Sequence, residues 1–146
     1  MSNNNEYMSL KLENQLCFPL YACSREVVKQ YRPFLDELNL TYTQYITLMV
    51  LWEEKQICVK KLGEKLYLDS GTLTPVLKSL ETKGYVTRQR SKDDERLLLV
   101  EITEQGEKLR ELAKTVPTRV GCSIKLSSEE AMTLYNLLYK VLDGMK

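Results

Sequence analysis

Leu68-Asp-Ser-Gly-Thr-Leu-Thr-Pro-Val-Leu-Lys-Ser-Leu-Glu-Thr-Lys-Gly84 is the stretch whose reading decides the fold. Wound as a helix, it sets Leu73, Val76, Leu77 and Leu80 at i, i+3, i+4 and i+7, which is one stripe for burial. Pro75 and Lys78 fall on the opposite face, with Thr72, Thr74 and Ser79 at its flanks. Asp69 and Ser70 suit an N-cap, since a short oxygen side chain satisfies a free amide there. Gly84 stands where a left-handed residue closes a helix. Small hydroxyls beside a cation fit close approach to phosphates and base edges.

Beyond that helix, the runs 85–89 and 97–102 read as strands, with Arg88 and Arg90 on one face. Between them Ser91-Lys-Asp-Asp-Glu-Arg96 is too long for a tight turn, so a projecting, mobile hairpin tip is expected. A helix followed by such a hairpin is the ending of a winged helix-turn-helix, a DNA-binding module. The competing reading is an amphipathic helix beside a hairpin in some other α+β protein.

Upstream, 59–66 predicts a short third helix, basic on its outside. The segment 41–54 predicts a second, capped by Thr41 or Thr43, with Ile46, Leu48, Met49 and Leu51 mostly inward. Apolar and aromatic positions recur at helical spacing over 12–38, disturbed by Pro19 and Pro33. That first helix either begins near Leu16 or bends there. Downstream, Thr103-Glu-Gln-Gly106 starts a fifth helix running to about Val116, before Pro117. Ser127 or Ser128 caps a sixth, with Leu134, Leu137, Leu138, Val141 and Leu142 as its stripe. The fold class is therefore mainly α, six helices with a small β-hairpin wing. Residues 1–11 are expected to be flexible, 41–102 to form the winged region, and 12–40 with 103–146 to form a helical dimerisation region. The first, fifth and sixth helices lie outside the winged core in this reading, and a twofold homodimer is the economical way to bury their stripes.

A net charge of +1 would not by itself suggest nucleic acid, but its distribution does. Residues 60–92 hold eight Lys/Arg against three acids, a local +5 that leaves −4 for the rest of the chain. An apolar fraction of 43% and a charged fraction of 28% are those of a soluble globular protein. No apolar run approaches a membrane span and the polar start is no secretory signal, so a cytoplasmic protein is expected. The four cysteines, 17, 23, 58 and 122, should then rest as thiols. None forms a CxxC and the chain has no histidine, which removes Cys/His zinc sites and the usual nucleophile–base pairs. No metal and no cofactor are expected.

With these features in place the chain resembles the MarR family of dimeric repressors, through the Asp-Ser-Gly-Thr-Leu-Thr-Pro helix and the Asp-Asp-Glu-Arg wing. Leu16-Cys-Phe-Pro-Leu-Tyr21, Tyr31-Arg-Pro-Phe-Leu-Asp-Glu-Leu38, Leu40-Thr-Tyr-Thr-Gln-Tyr45 and Leu62-Gly-Glu-Lys-Leu-Tyr-Leu-Asp-Ser-Gly71 resemble its organic-hydroperoxide-responsive branch. The likeness covers roughly residues 12–142. It implies that Cys17 is the peroxide-sensing cysteine, and that Tyr31 and Tyr42 reach from the partner subunit to hydrogen-bond its sulfur. Tyr21 matches a further pocket aromatic. Cys122 matches the second cysteine of two-cysteine members, which resolves the oxidised sensor as an intersubunit disulfide.

The chemistry is coherent with that likeness. A thiolate attacks a peroxide and becomes a sulfenic acid, which condenses with a second thiol or oxidises further. A pocket lined by Phe18 and tyrosines would favour organic hydroperoxides. Cys23 and Cys58 read as structural, yet either is an alternative resolving partner. The expected DNA target is a pseudo-palindromic duplex with half-sites about one helical turn apart. Ser70, Thr72, Thr74 and Pro75 are expected at the major groove and Lys78, Arg88 and Arg90 on phosphates. Arg96, oriented by Asp94, is expected in a flanking minor groove. The alternatives are a repressor released by a small aromatic ligand and a cysteine-dependent peroxidase.

Overall fold

The computed structural model describes residues 5–146. Residues 1–4 of the segment expected to be flexible lie outside them. Within the rest of that segment a 3-10 turn forms at Met8–Leu10, and a second follows it at Leu12–Asn14. They are tied by side-chain amides, Asn14 donating to the Met8 carbonyl at 2.7 Å and Gln15 to the Ser9 and Lys11 carbonyls at 2.6 and 2.8 Å.

Helix α1 spans Cys17–Asp36. Pro19 falls in its first turn, where a backbone N–H has no helical acceptor, so the helix starts there instead of bending. Helix α2, Tyr42–Glu54, opens with a full capping box between Thr41 and Gln44. Strand β1 is Gln56–Cys58, α3 is Val59–Leu66 and α4 is Ser70–Thr82. Asp69 caps α4 by accepting from the Thr72 amide at 2.8 Å, and Gly84 leaves it at φ +83°. Strands β2, Val86–Arg90, and β3, Leu98–Ile102, form the wing. The sheet has the order β1-β3-β2, all antiparallel, so a third strand accompanies the expected hairpin.

Helix α5 is Glu104–Ala113 and α7 is Ser128–Gly144, with a short helical segment α6, Val116–Gly121, between them. The chain divides into two compact units, Met1–Val116 and Pro117–Lys146. In the first, Leu48, Leu51, Leu62, Leu73, Leu80 and Val100 are fully buried. Met49, expected inward, is exposed, because the stripe through Gln44, Leu48 and Leu51 turns it away. Helix α5, expected outside the winged core, belongs to it. Its Gly106, Leu109 and Ala113 are buried, and the Trp52 indole donates to the Gly106 carbonyl at 2.9 Å. In the second unit, α7 has no buried residue, and Leu134, Leu137 and Val141 of its stripe are bare in the single chain. Helix α1 buries only Leu35 and leaves Leu16, Leu20 and Val28 exposed.

Candidate DNA-binding face and cysteine sensor

Helix α4 is held by its apolar stripe and presents its other side to solvent. Ser70, Thr72, Thr74, Pro75 and Lys78 are all exposed there. The Thr74 hydroxyl donates to the Ser70 carbonyl at 2.7 Å, so its lone pairs remain for an incoming donor. The Asp69 carboxyl is held below the usual range by the Thr72 amide, which keeps the cap charged. Ser79 departs from the expected pattern: it is half-buried, and its oxygen receives the Gln44 side-chain amide at 2.9 Å.

The wing tip is built on Ser91, whose oxygen accepts from the Asp93 and Asp94 amides at 3.2 and 3.4 Å. Asp94 grips the Arg96 guanidinium in fork geometry, Nε to Oδ1 at 3.0 Å and Nη2 to Oδ2 at 3.3 Å. That pairing lowers the Asp94 carboxyl from its ordinary value. The Arg96 side chain is nevertheless 90% exposed, so a charged fork is held out into solvent.

Arg88 is a correction. In the register of the sheet, Arg88 sits opposite Val100, and Val100 opposite Ile57. Directly paired residues share a face, and Val100 and Ile57 are both buried, so Arg88 is on the inner face. Its Nη2 donates to Glu81 of α4 at 3.2 Å, and its backbone amide donates to the other Glu81 oxygen at 3.1 Å. Arg88 thus fastens the wing to α4, the recognition helix of the winged helix-turn-helix reading. Arg90 remains exposed on the outer end of β2.

The four cysteines are free thiols, exposed except for half-buried Cys58, which ends β1 just before α3 without a side-chain cap hydrogen bond. Cys17 is the first residue of α1 and Phe18 beside it is exposed. Tyr31 lies fourteen positions further along the same helix, a rise of about 21 Å. One chain therefore cannot bring its own Cys17 and Tyr31 together. Tyr31 instead meets Tyr42 edge-on at 4.9 Å between centroids, and both rings pack on buried Tyr45 at 5.8 and 6.2 Å. Burial pushes all three phenols up, Tyr45 to about 12 with further contributions from Tyr31 and Tyr42. They hold their protons at neutral pH. Tyr21 is not part of this cluster in the single chain; its exposed ring carries the Arg25 guanidinium at 5.5 Å. Cys122 follows α6 in a turn, its amide donating to the Thr118 carbonyl at 3.2 Å.

Two residues of this site were not singled out by sequence reasoning. Tyr45 completes the aromatic cluster, and Gln44 joins α2 to α4. The Thr41-x-x-Gln44 capping-box spacing was readable, but nothing local marks Ser79 as its distant partner.

The family model for the transcriptional regulator SarA/Rot matches residues 29–112. The organic hydroperoxide resistance transcriptional regulator of Bacillus subtilis is 52% identical, over 97% of this chain and 96% of that protein. The regulator SarZ of Staphylococcus aureus is 43% identical, over 92% and 88%. Among solved structures, reduced AbfR bound to DNA is 34% identical, covering 98% of this chain and 99% of that one with a TM-score of 0.77. The same protein, from Staphylococcus epidermidis, is known overoxidized on DNA, with a TM-score of 0.76, and in a disulfide form, with a TM-score of 0.67. These relatives are transcriptional regulators, not enzymes, which sets the peroxidase reading aside. A winged core with a capped recognition helix, matched over nearly its full length by such regulators, places the chain in the SarA/Rot family of DNA-binding transcriptional regulators, MarR-type winged-helix proteins akin to the organic hydroperoxide resistance regulators.

Proposed function

We propose that this regulator is a homodimeric repressor that holds a pseudo-palindromic operator while Cys17 is reduced. It lets go when an organic hydroperoxide oxidises that cysteine and a disulfide forms to Cys122 of the partner subunit. The observation that carries this reading is the Tyr31–Tyr42 pair, its rings 4.9 Å apart, with Tyr31 about 21 Å along α1 from its own Cys17. Such phenols suit a thiolate delivered by a second copy whose α1 runs the opposite way. The bare apolar residues of α1 and of α7 each supply surface for that pairing.

The Cys17 thiolate attacks one peroxide oxygen, the O–O bond breaks, and the alkoxide leaves and is protonated to an alcohol. The sulfenic acid so formed is attacked by the Cys122 thiolate; the S–S bond forms and hydroxide leaves as water. AbfR stands on DNA both reduced and overoxidized. By analogy, extra oxygens on sulfur are compatible with DNA, and closure of the disulfide is the step that separates the recognition helices. On the operator, Lys78 and Arg90 lie against phosphates and Arg96 enters a flanking minor groove. Titrating operator-bound protein with cumene hydroperoxide tests the reading. Wild type should release DNA and Cys17→Ser should stay bound, whereas equal release by both would remove Cys17 from the switch.

A further inference from the structure

Gln44 sits in the first turn of α2, two residues after Tyr42 and immediately before Tyr45. Its side chain is buried and engaged at both ends of the amide. Oε1 accepts from the Thr41 backbone amide at 3.1 Å and from Lys83 Nζ at 3.0 Å, and Nε2 donates to Ser79 Oγ at 2.9 Å. Ser79 belongs to α4 and Lys83 is its C-cap. Lys83 also donates to the carbonyl of Asn39, a left-handed residue at φ 54° between α1 and α2. One amide thus closes the cap of the helix that carries Tyr42 and grips the recognition helix.

Building on the redox reading above, we propose that Gln44 is the positioning residue through which the sensor pocket acts on the recognition helix. Tyr42 is the first residue of α2, so moving its ring when the facing sulfur is drawn into the disulfide moves that first turn. The Gln44–Ser79 hydrogen bond then carries the shift into the C-terminal half of α4. Buried amides hold their partners because an unmatched donor there is expensive, which makes this link directional where apolar contacts between the same helices are not. The two helices respond together, or the hydrogen bond breaks.

Ser79→Ala removes the hydrogen bond from Gln44 to the body of α4 while leaving the Thr41–Gln44 cap and the Lys83 contact intact. The readout is the ratio of operator Kd after and before cumene hydroperoxide, by fluorescence anisotropy on a duplex selected from a random pool. Cross-linking is followed in parallel on non-reducing gels. Ser79→Ala should form the same cross-link at the wild-type rate, yet its Kd ratio should fall at least about fivefold. Ser79→Thr, which keeps the hydroxyl, should keep the wild-type ratio. A wild-type ratio in Ser79→Ala, with or without a lowered Tm, overturns the proposal, as does an equal loss in Ser79→Thr, which would assign the effect to packing. No redox dependence in the wild type itself would sink the underlying reading as well.

Discussion

Tyr45 is the residue whose titration reports most directly on the aromatic cluster. Buried between Tyr31 and Tyr42, its phenol is pushed up to about 12. The folded state favours the neutral ring, so this stabilisation is intact below the ordinary tyrosine value of about 10 and is lost as the pH rises through the shifted one. Absorbance at tyrosinate wavelengths should show a late class near 12 that vanishes in Tyr45→Phe; a curve described by one class near 10 would contradict the burial. Arg96 makes a second residue-level prediction. Held by Asp94 yet solvent-facing, it should supply a minor-groove contact, so Arg96→Ala should weaken operator binding by about 1–3 kcal/mol. A·T-to-G·C changes at the site flanks should hurt wild type more than the variant, and equal losses would sink the minor-groove role. Arg88 shows where residue-level reading ran out. Alternation along β2 correctly put Arg88 and Arg90 on one side, but only the pairing with Val100 tells that the Arg88 end of that side is covered.

At the scale of elements, α5 enters the core through Gly106. A Cβ there would stand 2.4 Å from the Tyr85 carbonyl oxygen and 2.8 Å from Ile102, and the backbone side of that clash cannot yield. Gly106→Ala should destabilise the fold by about 1–3 kcal/mol in denaturant titrations, a typical overpacking penalty. Gly121→Ala, whose new methyl meets nothing within 4 Å, is the matched control and should be neutral or slightly stabilising. Equal effects would mean that Gly106 is not a close-approach position. The same contrast explains what was legible. Helices α3 and α4 were placed almost to the residue, α4 because its cap and apolar spacing agree. Strand β1 escaped because three residues are too few to show alternation, and it exists only by pairing with β3. Pro117 read as a stop, yet it fits the first turn of α6, where a missing N–H costs nothing.

For the whole molecule, the sequence places on α1 and α7 apolar residues that the single chain leaves uncovered, Leu16, Leu20 and Val28 on the first and Leu134, Leu137 and Val141 on the second. It could not show that α5 belongs to the winged core, because its attachment depends on a tertiary hydrogen bond from Trp52. Nor did it reveal the Gln44 link, made by residues 35 positions apart. In the function proposed above the cysteine pairing joins two copies, and one measurement bears on it most directly. Operator-bound protein is given one equivalent of cumene hydroperoxide per Cys17, and DNA release and cross-linking are followed together. The account predicts that release tracks a disulfide-linked dimer, that the dimer needs both Cys17 and Cys122, and that dithiothreitol restores binding. Full release by Cys122→Ser without any cross-link, or a cross-linked dimer that survives that substitution through Cys23 or Cys58, would contradict it.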